Sequence, residues 1–203
     1  MDVIDQFLHI FIPIFVIVDP FASVALFISL TAGLSKPATS KIIKESVLWG
    51  FLILLIFALI GSYILEFFGI SIEALMIAGG LLMLIVGIEM VREGDKPRAT
   101  RKGQEEEELG DIGIVPLATP MLAGPGAISL MIILVASYDL WIVLASTVLV
   151  FLIVYIFFKF STIVYRMIGM KGARAFTRVM GLLVAAFAMQ YILNGFGIWY
   201  LHL

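Results

Sequence analysis

Cysteine is missing altogether from the 203 residues. A disulfide framework, a cysteine metal site and a thiol nucleophile are therefore excluded, and the redox compartment leaves no trace in the chain. Charge is scarce as well, at 14% of residues, and there are only two histidines, His9 and His202. Neither lies deep in an apolar segment, and Asp19 is the only aspartate that does. A paired-aspartate or serine–histidine intramembrane hydrolase thus lacks its parts, and the chain is not expected to be an enzyme. The N-terminus carries Asp2 and Asp5 but no basic residue, so it does not resemble the basic start of a signal peptide, and the first apolar segment is expected to persist.

What is abundant is apolar side chain. Hydrophobic residues make up 62% of the chain and the mean hydropathy is +1.14, well above the roughly 45–50% apolar content of soluble domains. This composition indicates an all-α integral membrane protein. Crossing a hydrocarbon core of about 30 Å takes about 20 apolar residues, and six runs qualify, near residues 6–30, 46–65, 72–91, 112–137, 140–160 and 179–200. The single transmembrane domain divides into residues 1–91 and 112–203, joined by the polar linker 92–111 with its acidic run Glu105 to Glu108. That run reads as a solvated face.

All 13 Lys and Arg residues fall at the ends of the first, third and fifth runs or in the connections after them. By the positive-inside rule the connections 31–45, 92–111 and 161–178 are expected to be cytoplasmic, with both termini outside the cell membrane. Trp141, Trp199, Tyr200 and the two histidines then fall near the outer face and Trp49 near the inner one, as an interfacial belt.

The halves carry a faint repeat. Superposing Pro20 on Pro125 aligns Ala22 with Ala127 and Ile28 with Ile133; superposing "GGLL" at 79–82 on "MGLL" at 180–183 aligns Ala74 with Ala175 and sets Glu89 opposite Gln190. Three spans per half is an odd number, so a repeat requires two inverted three-helix halves. Each half also has a break in its first helix. Asp19 before Pro20 reads as a helix cap and first position in mid-span, and Gly124-Pro125-Gly126 repeats the device in the fourth helix, after Pro116 and Pro120. Proline leaves carbonyls near 15–18 and 119–122 open, and the N–H groups of Phe21, Ala22, Ser23, Gly126, Ala127 and Ile128 are expected to be open as well. Unpaired backbone in lipid costs several kcal/mol, so two such breaks imply a polar cavity.

The helix starts would seat a carboxylate, and Asp19 with the open carbonyls would seat an ammonium or a cation. A small zwitterion fits both. Candidate binding residues are Asp19, Pro20, Phe21, Ala22, Ser23, Thr119, Gly124, Pro125, Gly126, Ala127 and Asn194, with Ser129 a further polar neighbour. Asp19 and Glu89 are candidates for coupling to a proton or sodium ion, although Glu89, close to a helix end, also suits snorkelling to the interface. No metal site or cofactor is expected. The expected partners are the solute and the bilayer, with homo-oligomers left open and nucleic acid excluded.

Three blocks, "VDPFASVALFISLT" at 18–31, "IEALMIAGGLLMLIVGIEM" at 72–90 and "PLATPMLAGPGAIS" at 116–129, together resemble the MarC family of six-span membrane proteins of bacteria and archaea. The resemblance covers essentially the whole chain. It implies discontinuous first and fourth helices that hold substrate at their breaks. In the SnatA type within the family, it implies transport of small neutral amino acids such as glycine, alanine and serine. Members often show Gly and then Pro after "DPF", where this chain has Ala22 and Ala25. A multidrug or other small-solute exporter and a channel-like pore are the competing readings; small residues at both breaks favour a small polar solute.

Overall fold

The computed structural model describes residues 2–31, 33–93 and 113–201. Most of the linker, with the acidic run 105–108, and His202 lie outside the described residues, as do the side chains of Trp199 and Tyr200. The described chain is helical throughout. In order come α1 (Val3–Val18), α2 (Pro20–Thr31), α3 (Lys36–Phe68), α4 (Ile72–Glu93), a π-helical segment (Gly113–Leu122), α5 (Pro125–Ser137), α6 (Leu140–Lys159) and α7 (Ser161–Leu201).

Local chemistry sets these boundaries. Ser35 caps α3, its hydroxyl accepting from the Ala38 N–H at 3.4 Å, with Pro37 in the first turn. Gly69 (φ 64°) ends it, and the Ile70 N–H returns to the Leu65 carbonyl at 2.8 Å. Asp139 caps α6 through the Trp141 N–H at 2.8 Å. Gly169 (φ 66°, ψ 172°) kinks α7.

Among the described residues five segments are long and apolar enough to cross a membrane: Val3–Ile28, Lys36–Phe68, Ile72–Arg92, Leu140–Lys159 and Lys171–Gly197. The expected fourth span differs. It is built from the π-helical segment followed by α5, and the 13 residues of α5 alone make about 20 Å of helix at 1.5 Å per residue, short of the hydrocarbon core. Pro120 inside the π-helical segment removes a helix hydrogen bond, and Pro125 starts a new helix at the position where a missing N–H costs nothing. Gly126, Ala127 and residues 129–134 of α5 are all buried, so α5 is an interior helix, apolar all round because it touches protein on every side. The expected connections 31–45 and 161–178 also differ, for α3 begins at Lys36 and α7 at Ser161, and both basic stretches are helical.

A hydroxyl in lipid is stabilised by a partner, and several here find it one turn back. Ser46 donates to the Ile42 carbonyl at 2.7 Å, Thr147 to Val143 at 2.8 Å and Thr31 to Phe27 at 2.8 Å.

Backbones approach closely where α4 packs on α7, which run antiparallel. A Cβ on Gly87 would stand 2.8 Å from the Gly181 carbonyl oxygen, and one on Gly181 would stand 2.8 Å from the Gly87 oxygen. Farther along, Gly80 faces the Ala188 carbonyl and Ile192, and Gly195 faces the Glu73 carbonyl. With no hydrophobic drive between helices inside a bilayer, such small residues supply contact by letting backbones meet.

Candidate binding site

Asp19 sits between α1 and α2 in the left-handed region (φ 41°, ψ 77°), and among the described residues it is the only non-glycine with positive φ. Asp tolerates this because its short side chain bonds locally. Its N–H donates to the Phe15 carbonyl at 3.1 Å, and its Oδ1 accepts from the Ala22 N–H at 3.2 Å. Its own carbonyl accepts from the Ser23 N–H at 3.1 Å, while the Ser23 hydroxyl donates to the Val18 carbonyl at 3.2 Å. Asp19 is only 3% exposed and Ser23 is fully buried.

These bonds correct one expectation. Of the three N–H groups after Pro20 expected to be open, those of Ala22 and Ser23 are occupied, and the Phe15 and Val18 carbonyls are occupied too. At the second break the Ile128 N–H bonds the Gly124 carbonyl at 3.0 Å, and the Ala123 N–H reaches back five residues to Ala118 at 2.9 Å. A left-handed cap and a wide π turn let the chain close its own bonds locally, which counting helix ends does not foresee.

The two breaks meet. A Cβ on Gly126, in the first turn of α5, would lie 3.1 Å from Ile17 Cδ1, in the last turn of α1, and 3.2 Å from Met83 Cγ of α4. Gly126 and Ala127 are buried, Gly124 and Ala22 are partly so, Pro20 is buried and Pro125 is exposed. Thr119 is half-buried in the π-helical segment, next to buried Ala118. Ser129 packs on α4, its Cβ 2.6 Å from where a Cβ on Gly79 would be.

Phe21 is pinned by aromatics. Its ring stacks on Phe176 of α7 at 4.5 Å and meets Phe157 of α6 edge-on at 5.5 Å and Phe15 at 6.4 Å. The cluster ties α2 to α1, α6 and α7, each pair adding about 0.5–1.5 kcal/mol beyond area burial. Sequence reading missed Phe157 and Phe176, since nothing local marks a ring that meets its partner more than a hundred residues away.

Residues 4–200 match the MarC family integral membrane protein profile. The chain belongs to the MarC family. A UPF0056 membrane protein of Methanocaldococcus jannaschii is 39% identical over 197 residues, covering 95% of this chain and 96% of the relative. One from Pyrococcus horikoshii is 32% identical over 196 residues, covering 96% of each. The UPF0056 inner membrane protein MarC of Escherichia coli is 30% identical over 193 residues, covering 87% of each. No solved structure matches the chain. Family and apolar helices together make this an integral, multi-pass membrane protein.

Two predicted residues of this MarC-family chain stand away from the breaks. Asn194 lines a cavity of about 460 Å³ at the far end of α5, with Ser137, Tyr138 and Tyr191; Ser137 is twelve residues from Pro125, about 18 Å along the helix. There the Asn194 Oδ1 accepts from Gln190 Nε2 at 2.8 Å. Glu89 is exposed on α4, one turn before Arg92. Among the described residues no three His, Asp or Glu side chains gather as a metal site.

Proposed function

We propose that this chain is a secondary transporter of small neutral amino acids, of the size of glycine, alanine or serine, coupled to a proton or sodium gradient. The observation that carries the reading is the close approach of Ile17, two residues before the buried Asp19, to Gly126 in the first turn of α5. The substrate ammonium pairs with Asp19, and its carboxylate takes the first-turn N–H groups of Phe21, Gly126 and Ala127. An ionisable group inside a membrane is costly, about 2.5–3.5 kcal/mol or more, so a ligand that meets it is the expected reason to keep it. Small residues at both breaks favour a small solute over a bulky drug.

The α4–α7 seam supports an inverted repeat, in which the first and fourth helices are the broken pair. Under the superposition of residues 79–82 on 180–183, Gly80 corresponds to Gly181, Ala188 to Gly87 and Ile192 to Val91. Gly80 meets Ala188 and Ile192, and Gly181 meets Gly87 and Val91, so exchanging the two helices reproduces the contact. An in-plane two-fold axis has this property. In this reading the breaks lie at mid-membrane, the basic ends face the cytoplasm, Glu89 is a secondary coupling candidate, and Asn194 lines an outer approach.

Uptake of labelled glycine, alanine, serine, leucine and glutamate into proteoliposomes, under an imposed proton or sodium gradient, tests this. Uptake of the small neutral amino acids alone, lost or uncoupled from the ion in Asp19→Asn, is the expected result. Unchanged uptake and ion dependence in that variant would overturn the role of Asp19, and transport of bulky cations instead would favour an exporter.

A further inference from the structure

On the outside of the bundle α3 and α6 pack antiparallel with a groove between them of about 460 Å³, lined by Val47, Leu48, Phe51, Val148, Leu152 and Tyr155, with Lys44 at one end. Leu48 and Leu152 are 53% and 51% exposed, so the groove opens on the lipid side. From Lys44 to Phe51 it runs about 10 Å along the helix, most of the roughly 15 Å of hydrocarbon in one leaflet. Any membrane protein has lipid-facing grooves. This one is closed at its basic end by two cations.

Lys44 borders the groove directly. Lys159 lies one turn beyond Tyr155, its Nζ 6.0 Å from the centre of that ring and 5.9 Å from that of Phe160. The nearest carboxylate on α3 is Glu45, which pairs with Lys41 at 3.6 Å and turns its other oxygen toward Gly113 on a different face. Among the described residues neither Lys44 nor Lys159 is ion-paired. An apolar slot of leaflet depth capped by two uncompensated ammonium groups has the shape and charge of an anionic phospholipid.

We infer that the α3–α6 groove is a retained-lipid site: one hydrocarbon chain lies along Leu48, Phe51 and Leu152, and the phosphate sits between Lys44 and Lys159. Basic recesses between membrane helices hold anionic head groups in this way, each lysine strengthening binding by roughly five-fold. The site is on the bundle's outer face and is independent of the transport reading.

The test uses the full chain in a neutral detergent, with native mass spectrometry of bound dioleoyl phosphatidylglycerol against dioleoyl phosphatidylcholine. Phosphatidylglycerol should be retained roughly 30-fold more tightly, the product of two lysines. K44Q with K159Q should remove that preference while leaving phosphatidylcholine retention unchanged, and L48W or L152W should weaken both lipids. I85W, at a residue 54% exposed on α4, should alter neither. Thermal unfolding without lipid checks that each variant is folded. Equal retention of the two lipids, a preference that survives loss of both lysines, or retention unaffected by tryptophan in the groove would each overturn the inference. Binding of free glycerol 3-phosphate as tight as that of the phospholipid would overturn the chain's part in it.

Discussion

Substituting Gly87 by alanine tests whether the α4–α7 seam is as tight as its backbone contacts indicate. The new Cβ would stand 2.8 Å from the Gly181 oxygen and 2.9 Å from the Ala185 nitrogen, whereas ordinary contact begins near 3.4 Å. Both obstacles are backbone, so no rotamer change relieves them, and the helices must part locally by roughly 0.6 Å, the shortfall between those distances. A gap of about 0.5–1 Å forfeits a quarter to a half of each dispersion contact across it. Overpacking of this kind costs about 1–3 kcal/mol. Alanine also gains up to about 1 kcal/mol over glycine in a helix, so the reference is Gly197→Ala, where nothing lies within 4 Å of the added Cβ. For a chain of this size the difference corresponds to a Tm about 2–12 °C lower than the reference, read by thermal unfolding in detergent. Gly181→Ala should behave alike, and the double variant should cost less than the two singles together, because parting the helices for one methyl makes room for the other. Gly87→Ala as stable as Gly197→Ala, or strictly additive costs, would refute the reasoning.

At Asp19 stability should fall in the order Asn, Gly, Ala: Asn keeps the acceptor for the Ala22 N–H and tolerates positive φ, Gly keeps only the backbone freedom, and Ala loses both at about 2 kcal/mol, measured by thermal unfolding. Gly169→Ala should lower the Tm by at least about 2 °C although its Cβ meets nothing within 4 Å, since φ 66° with ψ 172° is glycine's territory and costs other residues about 1–3 kcal/mol. Gly126→Ala should fold with little loss, as its two tight contacts, at 3.1 and 3.2 Å, are side-chain atoms of Ile17 and Met83 that need give only a few tenths of an ångström, yet cut apparent uptake affinity at least about tenfold by covering N–H groups that a carboxylate needs, as proteoliposome flux would show.

Much of the fold was legible because lipid enforces it. Runs of about 20 apolar residues marked the long helices, and the residues at the first break, Asp19 and Pro20, marked the boundary between α1 and α2 to the residue. The fourth span was read as a broken helix over residues 112–137, yet its burial was not legible: composition reports how apolar α5 is, not whether lipid or protein surrounds it. The basic stretches 36–45 and 161–178 read as connections because they are polar, but helix does not stop where hydrocarbon does. At the site, the breaks were visible and their partners were not. Ile17, Met83 and the Phe21–Phe157–Phe176 cluster are contacts between distant positions, and no local signal announces them. Asn194 was grouped with the breaks on residue type alone, and the fold carries it to the other end of α5.

The α4–α7 seam has a consequence for history and engineering. Each helix presents to the other the surface it receives, glycine against backbone in both directions, so under the proposed inverted repeat a single three-helix unit bearing one such face could pair with a copy of itself inserted upside down. A gene of half this length would then have sufficed, and fusion would have required only a linker such as 92–111. Residues 1–93 and 112–203, made as separate chains in one cell, should for the same reason find each other in the bilayer.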